Sequence, residues 1–236
     1  MSTVGDPASS SKEAKRRRPL VVIGAGGHGG CVADIAHLLG WRIAGFLDTQ
    51  RPPDECVIGH RVLGADERLN DRNFVAQHDF ALGIGDPEVR TAYGRRLLAL
   101  DASLPTIINQ SSYVSPHASI GQGVVLLGFN AINHQAQVQN FAVLDWNATV
   151  GHHSVVGEGA FLGPGVQVTG HCQLGAKVYL GAGSRTVPKV EVGKGTLVGA
   201  GSTVTKSLPE LVMAVGTPAV VKRTLATTCS ADEPCR

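Results

Sequence analysis

From Val114 onward an aliphatic residue recurs at every sixth position without an insertion: Val114, Ile120, Leu126, Ile132, Val138, Leu144, Val150, Val156, Leu162, Val168, Leu174 and Leu180, then Val192, Val198 and Val204. Only Thr186 interrupts the series. A six-residue period fits neither the turn of an α-helix nor the simple alternation of a strand. It fits a triangular prism in which each face is a short strand and a corner, with one aliphatic side chain pointing inward. Three faces make an 18-residue coil, five coils fit between positions 114 and 203, and coils stack as parallel strands about 4.8 Å apart. Glycine follows the aliphatic residue at Gly121, Gly151, Gly157, Gly163, Gly175, Gly181, Gly193 and Gly199, where a tight corner favours a residue without Cβ. The expectation is an all-β parallel β-helix over 109–223, ending in the closing segment Lys206–Arg223.

The pattern before the repeat is different. Leu20–Ile23 is an apolar run that leads into Gly24-Ala-Gly-Gly-His-Gly29, and from Cys31 to Leu39 apolar residues recur at helical spacing. A second strand, Ile43–Leu47, ends in Asp48; Phe80–Ile84 reads as a third, and Pro87–Leu100 as a helix. This predicts a Rossmann-like α/β domain over 19–108 with a parallel sheet, joined to the repeat through Pro105–Ser112 without a long linker. Gly24, Gly26 and Gly29 match G-x-G-x-x-G, with Asp48 nineteen residues beyond. Such a turn lets backbone approach a phosphate at a helix N-terminus, and an acid at the next strand end can accept ribose or sugar hydroxyls. A diphosphate sugar suits it as well as NAD, and a domain of this size is short for two mononucleotide halves. His28 inside the turn adds a titratable side chain that a tight turn does not need.

Composition narrows the classes. Thirty glycines, 17% charged and 5% aromatic residues point to a turn-rich β architecture. The net charge of +2 comes largely from Lys12, Lys15, Arg16, Arg17 and Arg18, so nothing asks for nucleic acid. We expect residues 1–18 and 224–236 to be tails, no membrane span and no signal peptide. Five scattered cysteines, Cys31, Cys56, Cys172, Cys229 and Cys235, fit neither a disulfide framework nor a metal-ligand spacing, so a cytoplasmic protein with no bound metal is expected.

The repeat carries His117, His134, His152, His153 and His171. At 18 residues per coil, His134 falls under His152 and His153 under His171. Transfer of an acyl group to an amine needs a base, and histidine titrates near the working pH. Cys172, beside one column, is the candidate for a covalent acyl-cysteine route.

Taken together, Gly24-Ala-Gly-Gly-His28-Gly, Leu47-Asp48, Ala148-Thr-Val-Gly-His152-His-Ser-Val-Val-Gly157 and the Gly216-Thr-Pro-Ala ending resemble the sugar O- and N-acyltransferase family of hexapeptide-repeat proteins, over residues 20–223. The resemblance implies a left-handed helix, a homotrimer, and acetyl-CoA as acyl donor in the groove between neighbouring β-helices. It implies His152 as general base, with His28, Asp48 and the glycines Gly24, Gly26 and Gly27 lining a sugar-nucleotide pocket, to which we also assign Asp145. Gly170, Ala182 and Ala200 then fall where backbone contacts CoA. A UDP-linked 4-amino sugar is the implied acceptor; a sugar or sialic acid hydroxyl is the alternative. Three positions depart from the family: His153 stands where it places Asp or Glu to orient the base, Phe161 where it has a second histidine, and Asp145-Trp146 where it has Asn-Thr. The missing carboxylate leaves Asp145 or Glu158 as substitutes, or a noncatalytic sugar-nucleotide-binding protein. A zinc-dependent hydratase like the γ-class carbonic anhydrases also uses a β-helix, but its histidine pair five residues apart is missing here.

Overall fold

A computed structural model describes residues 17–226. Residues 1–16 and 227–236, most of the two expected tails, lie outside the described residues, as do Cys229 and Cys235. The end of the basic run is packed onto the α/β unit. The Arg17 guanidinium lies 4.7 Å from the Trp41 ring centroid, and Arg18 donates to the Ala76 carbonyl at 2.7 Å.

The α/β unit is a parallel three-stranded sheet in the order β2-β1-β5, with β1 (Leu20–Ile23) central and wholly buried, β2 at Ile43–Leu47 and β5 at Asp79–Leu82. Between β2 and β5 lie a small hairpin, β3 (Cys56–Val57) and β4 (His60–Arg61), a 3-10 turn at Asp66–Asn70, and helix α2 (Arg72–Gln77). Helix α1 spans Gly27–Leu38, starting four residues before the Cys31 suggested by the apolar spacing. The second half of the glycine turn is itself the first helical turn, which an apolar pattern does not register. Helix α3 (Pro87–Ala99) starts where Asp86 accepts the Val89 N–H at 2.9 Å, with Pro87 in the first turn.

The repeat folds as a three-faced prism. The first face carries Ile107–Ile108, Val125–Leu126, Val143–Leu144, Phe161–Leu162, Tyr179–Leu180 and Leu197–Val198, and is closed by Val212–Val215 and the antiparallel Val220–Thr224. The second face has six strands, from Tyr113–Val114 to Thr203–Val204, and the third has five, from Ser119–Ile120 to Glu191–Val192. From Ile107 to Val204 the coils pair in the 18-residue register, as in Ala131 with Thr149 and Ile132 with Val150, whereas the closing strand pairs sixteen residues on, Leu197 with Met213. The prism has about six turns rather than the five between 114 and 203, because Ile107–Ile108 and Val212–Val215 extend the first face at both ends.

The aliphatic residues of the six-residue series fill the interior. Thr186 is buried there too. Its Oγ1 accepts the Thr169 N–H at 3.0 Å and lies 3.3 Å from Cys172 Sγ, so the polar break in the series is satisfied. The glycines after the aliphatic residues serve a purpose other than the tight turn. A Cβ on Gly151 would lie 2.4 Å from the Thr169 carbonyl carbon, so these glycines let successive coils approach. The left-handed backbone falls two residues later in each corner, at Gly159 (φ +66°) and also at His153 (φ 59°) and His171 (φ 61°).

The α/β unit docks on the first face. Outward residues Val125, Val143 and Phe161 are buried with Val22, Val32, Ile35 and Phe46 in one apolar cluster. Each such side chain contributes roughly 1.5–3 kcal/mol when fully buried.

Candidate active site

The glycine turn is built by close packing on one side and openness on the other. Gly24 has φ +95°, and a Cβ there would meet the Gly83 carbonyl oxygen at 2.9 Å; a Cβ on Gly29 would lie 1.9 Å from the Gly24 oxygen. Gly26 and Gly27 face open space, with no atom within 4 Å of an added Cβ. Gly26 caps α1 without a side-chain bond, and its first turn holds no acidic residue. These free N–H groups and the helix dipole therefore favour an anion. Asp48 lies at the turn, but its carboxylate is engaged there, accepting the Ala25 N–H at 2.7 Å and the Gln50 N–H at 2.8 Å. It holds the turn in shape, leaving its remaining lone pairs for a ligand.

His28 projects from the first turn of α1 toward the prism, its ring 5.9 Å edge-on from Phe161. Its Nε2 is buried with no hydrogen-bond partner. Burial, and secondarily the Arg90 charge, lower its pKa to about 4, so it is neutral at pH 7. Asp145 also belongs to this side. It accepts the Trp146 N–H at 2.7 Å, burial raises its pKa, and its charge, after burial, helps raise that of Cys31 on α1.

Arg90 was not singled out by the sequence. It is fully buried, and its guanidinium donates to five carbonyls: Phe141 at 2.8 Å, Ile84 at 2.9 Å, Gly85 at 2.8 Å, Gly159 at 2.7 Å and Ala160 at 3.2 Å. Burial lowers its pKa to about 10, leaving it charged at pH 7. It ties the loop after β5, which packs on the glycine turn, to two coils of the prism. Carbonyl partners leave no mark in a sequence; the only signal was an arginine on the buried side of a predicted helix.

The histidines form a ladder along the corner between the second and third faces. Ring centroids are 5.0 Å apart for His117 and His134, 5.8 Å for His134 and His153, 5.0 Å for His152 and His171, and 4.7 Å for the stacked His153 and His171. His152 and His153 face each other through Nδ1 atoms 3.1 Å apart. The backbone anchors the ladder, with His153 N–H donating to the His134 carbonyl at 3.0 Å and His171 N–H to that of His152 at 2.9 Å. Gly170 lies under the His152 imidazole, where a Cβ would stand 2.7 Å from Nε2. Ala182 and Ala200 are exposed one above the other at the other edge of the second face, so with Gly170 they flank that face.

Neither acid considered as a partner for His152 reaches it within the chain. Asp145 is on the corner between the first and second faces, and Glu158, on the corner between the third and first, pairs with Arg95 at 2.6 Å. Cys172 is buried inside the prism, its Sγ 3.3 Å from the Val187 carbonyl, which removes it as a nucleophile. A cavity of about 450 Å³ opens on the third face, lined by Gln173, Glu191, Ser207 and Pro209 among others; it contains none of the predicted residues. The fold thus gathers two groups. His28, Asp48 and Asp145 lie where α1 meets the first face, and His152, His153 and Gly170 lie on the corner opposite that face.

The sequence matches the PglD N-terminal domain over residues 19–97 and the bacterial transferase hexapeptide (six repeats) over 153–186. Among solved structures it is similar to perosamine N-acetyltransferase from Caulobacter crescentus, seen with CoA and GDP-perosamine, at 32% identity and a TM-score of 0.83, covering 87% of this chain and 97% of that one. It is also similar to the acetyltransferase domain of PglB from Neisseria gonorrhoeae, seen with acetyl coenzyme A, at 30% identity and a TM-score of 0.82, covering 87% and 100%. WeeI from Acinetobacter baumannii, at 22% identity and a TM-score of 0.77, covering 86% and 99%, shares the fold. The prism is accordingly a left-handed β-helix, and no helix among the described residues is long and apolar enough to cross a membrane. The chain belongs to the sugar O- and N-acyltransferase family of hexapeptide-repeat proteins.

Proposed function

We propose that this chain is an acetyl-CoA-dependent N-acetyltransferase that acts on the amine of a nucleotide-linked sugar, with His152 as general base. The observation that carries this reading is the pair of half-sites. One is an open helix N-terminus with a neutral buried imidazole beside it, and the other is an exposed imidazole pair over a glycine. The Caulobacter relative, seen with CoA and a GDP-linked amino sugar, supports the donor and the acceptor class. We take UDP as the carrier, with GDP as the competing one.

The half-sites lie on opposite sides of one prism, so one chain does not present both to one substrate. A homotrimer does: the histidine corner of one protomer meets the glycine-turn pocket of its neighbour, with the donor along the second face between Gly170 and the column Ala182–Ala200. The symmetry of a closed ring makes three equivalent sites.

Chemically, His153 replaces a carboxylate as the partner of His152. A neutral His153 accepts the His152 Nδ1–H across the 3.1 Å contact, which leaves the Nε2 lone pair of His152 for the amine proton. As the amine nitrogen attacks the thioester carbon, His152 Nε2 takes a proton from it, a backbone N–H stabilises the tetrahedral oxyanion, and CoA leaves as thiolate. His153 orients the base without contributing negative charge. A His152→Ala trimer of unchanged mass and melting temperature loses roughly 10²–10⁴-fold in kcat; full activity in that trimer overturns the assignment.

A further inference from the structure

The sequence spacing gave no reason to expect metal ligands, yet coil stacking brings three imidazoles together. One ring nitrogen from each of His152, His153 and His171 lies within 4.8 Å of the others, and all three residues are exposed. The His152 and His153 Nδ1 atoms are 3.1 Å apart. A tetrahedral zinc with bonds of about 2.0–2.1 Å needs its nitrogen ligands about 3.3 Å from one another, so this pair already has the spacing. The His171 nitrogen, within 4.8 Å of the other two, must approach by up to about 1.5 Å to complete the set.

The trio is also held in place. His153 and His171 occupy the same left-handed corner position one coil apart, with φ of 59° and 61°, and the His171 N–H is bonded to the His152 carbonyl. Among the described residues no carboxylate hydrogen-bonds any of the three rings, so their lone pairs are not held by acids. Three imidazoles with a fourth position open to solvent suit zinc, copper or nickel rather than magnesium or calcium.

We propose that His152, His153 and His171 form a site for one zinc-class ion, and that an ion held there inhibits acetyl transfer. Inhibition rests on the reading of His152 as base, since an ion on Nδ1 leaves the ring proton on Nε2, the atom that must accept the amine proton. Binding does not rest on it. The ion replaces the Nδ1–H of His152, whose proton moves to Nε2 of the same ring, and no redox step is involved.

The test uses the untagged full-length chain with Cys31→Ser and Cys56→Ser, which removes two exposed thiols. Titration with zinc chloride alone, followed calorimetrically, is expected to give one ion per protomer, and His171→Gln to weaken binding about 10-fold or more. In parallel, acetylated product is measured by mass spectrometry at saturating zinc. The parent falls about 10-fold or more and recovers with a chelator, whereas His171→Gln keeps its activity. No stoichiometric binding, or binding that His171→Gln leaves unchanged, overturns the site. Zinc bound through the trio without slowing transfer overturns the inhibition and removes His152 as base. A fully active His152→Ala protein that has lost zinc binding would instead sink the functional reading while leaving the metal site standing.

Discussion

The buried, unpartnered imidazole of His28 makes stability depend on pH. The ring projects from the first turn of α1 against Phe161, Nε2 has no partner, and burial lowers its pKa from 6.5 to about 4. A base whose pKa is lowered by folding binds fewer protons folded than unfolded. Its contribution is therefore fully present above pH 6.5 and is lost as pH falls toward 4. With these two values, the loss is about 2 kcal/mol at pH 5 and about 3 kcal/mol at pH 4, relative to pH 7.5. For a chain of this size that corresponds to a melting-point drop of about 4–8 °C between pH 7.5 and pH 5. Other groups titrate over the same range, so the measurement is a difference. The wild type and His28→Gln are melted at both pH values at one protomer concentration, since assembly makes melting concentration-dependent. The variant should show a pH-dependent drop smaller by about 4–8 °C. An equal drop in both proteins would refute the burial of a neutral imidazole at this position.

Three further outcomes follow from the same structure. Gly170→Ala, which would put a Cβ 2.7 Å from His152 Nε2, should displace the ring and lower kcat about 10²-fold with little change in melting temperature; unchanged kcat would show that the imidazole works from another position. Arg90→Met strips the donor from five carbonyls at the domain junction and should destabilise by about 3 kcal/mol net of relieving a buried charge, read by urea unfolding; a change below about 1 kcal/mol would remove Arg90 as the clamp. Mixed trimers refolded from equal parts of His152→Ala and a pocket variant, Gly27→Asp, should recover about one quarter of wild-type activity, because random pairing restores both half-sites at that fraction of subunit interfaces. No recovery would place the whole site within one chain.

Most of the prism was legible because its interior is specified one residue at a time: an aliphatic residue every sixth position fixes faces, corners and the stacking of His153 under His171. What the period could not convey is what neighbouring coils and domains do to each other. Gly151 reads as a turn glycine and proves to be a clearance for Thr169, while the left-handed residue of that corner is His153. Asp48 reads as a sugar ligand, and its bonds to the turn it follows left no trace in the sequence. Arg90 was invisible because its partners are carbonyls. The facing of His152 and His153 depends on ring orientation, which spacing leaves free. The separation of His28 from His152 became visible only when α1 docked on the face opposite the histidine corner.

Acetyl transfer to an amine on a nucleotide sugar must release free CoA thiol, which can be followed as it forms. Acetyl-CoA is offered with UDP-, GDP- and dTDP-linked amino sugars, each beside its hydroxyl counterpart. Thiol release should depend on an amino sugar, with equimolar N-acetylated product and UDP the preferred carrier. Release only with hydroxyl sugars, or no release with any acceptor from a folded trimer, would contradict it.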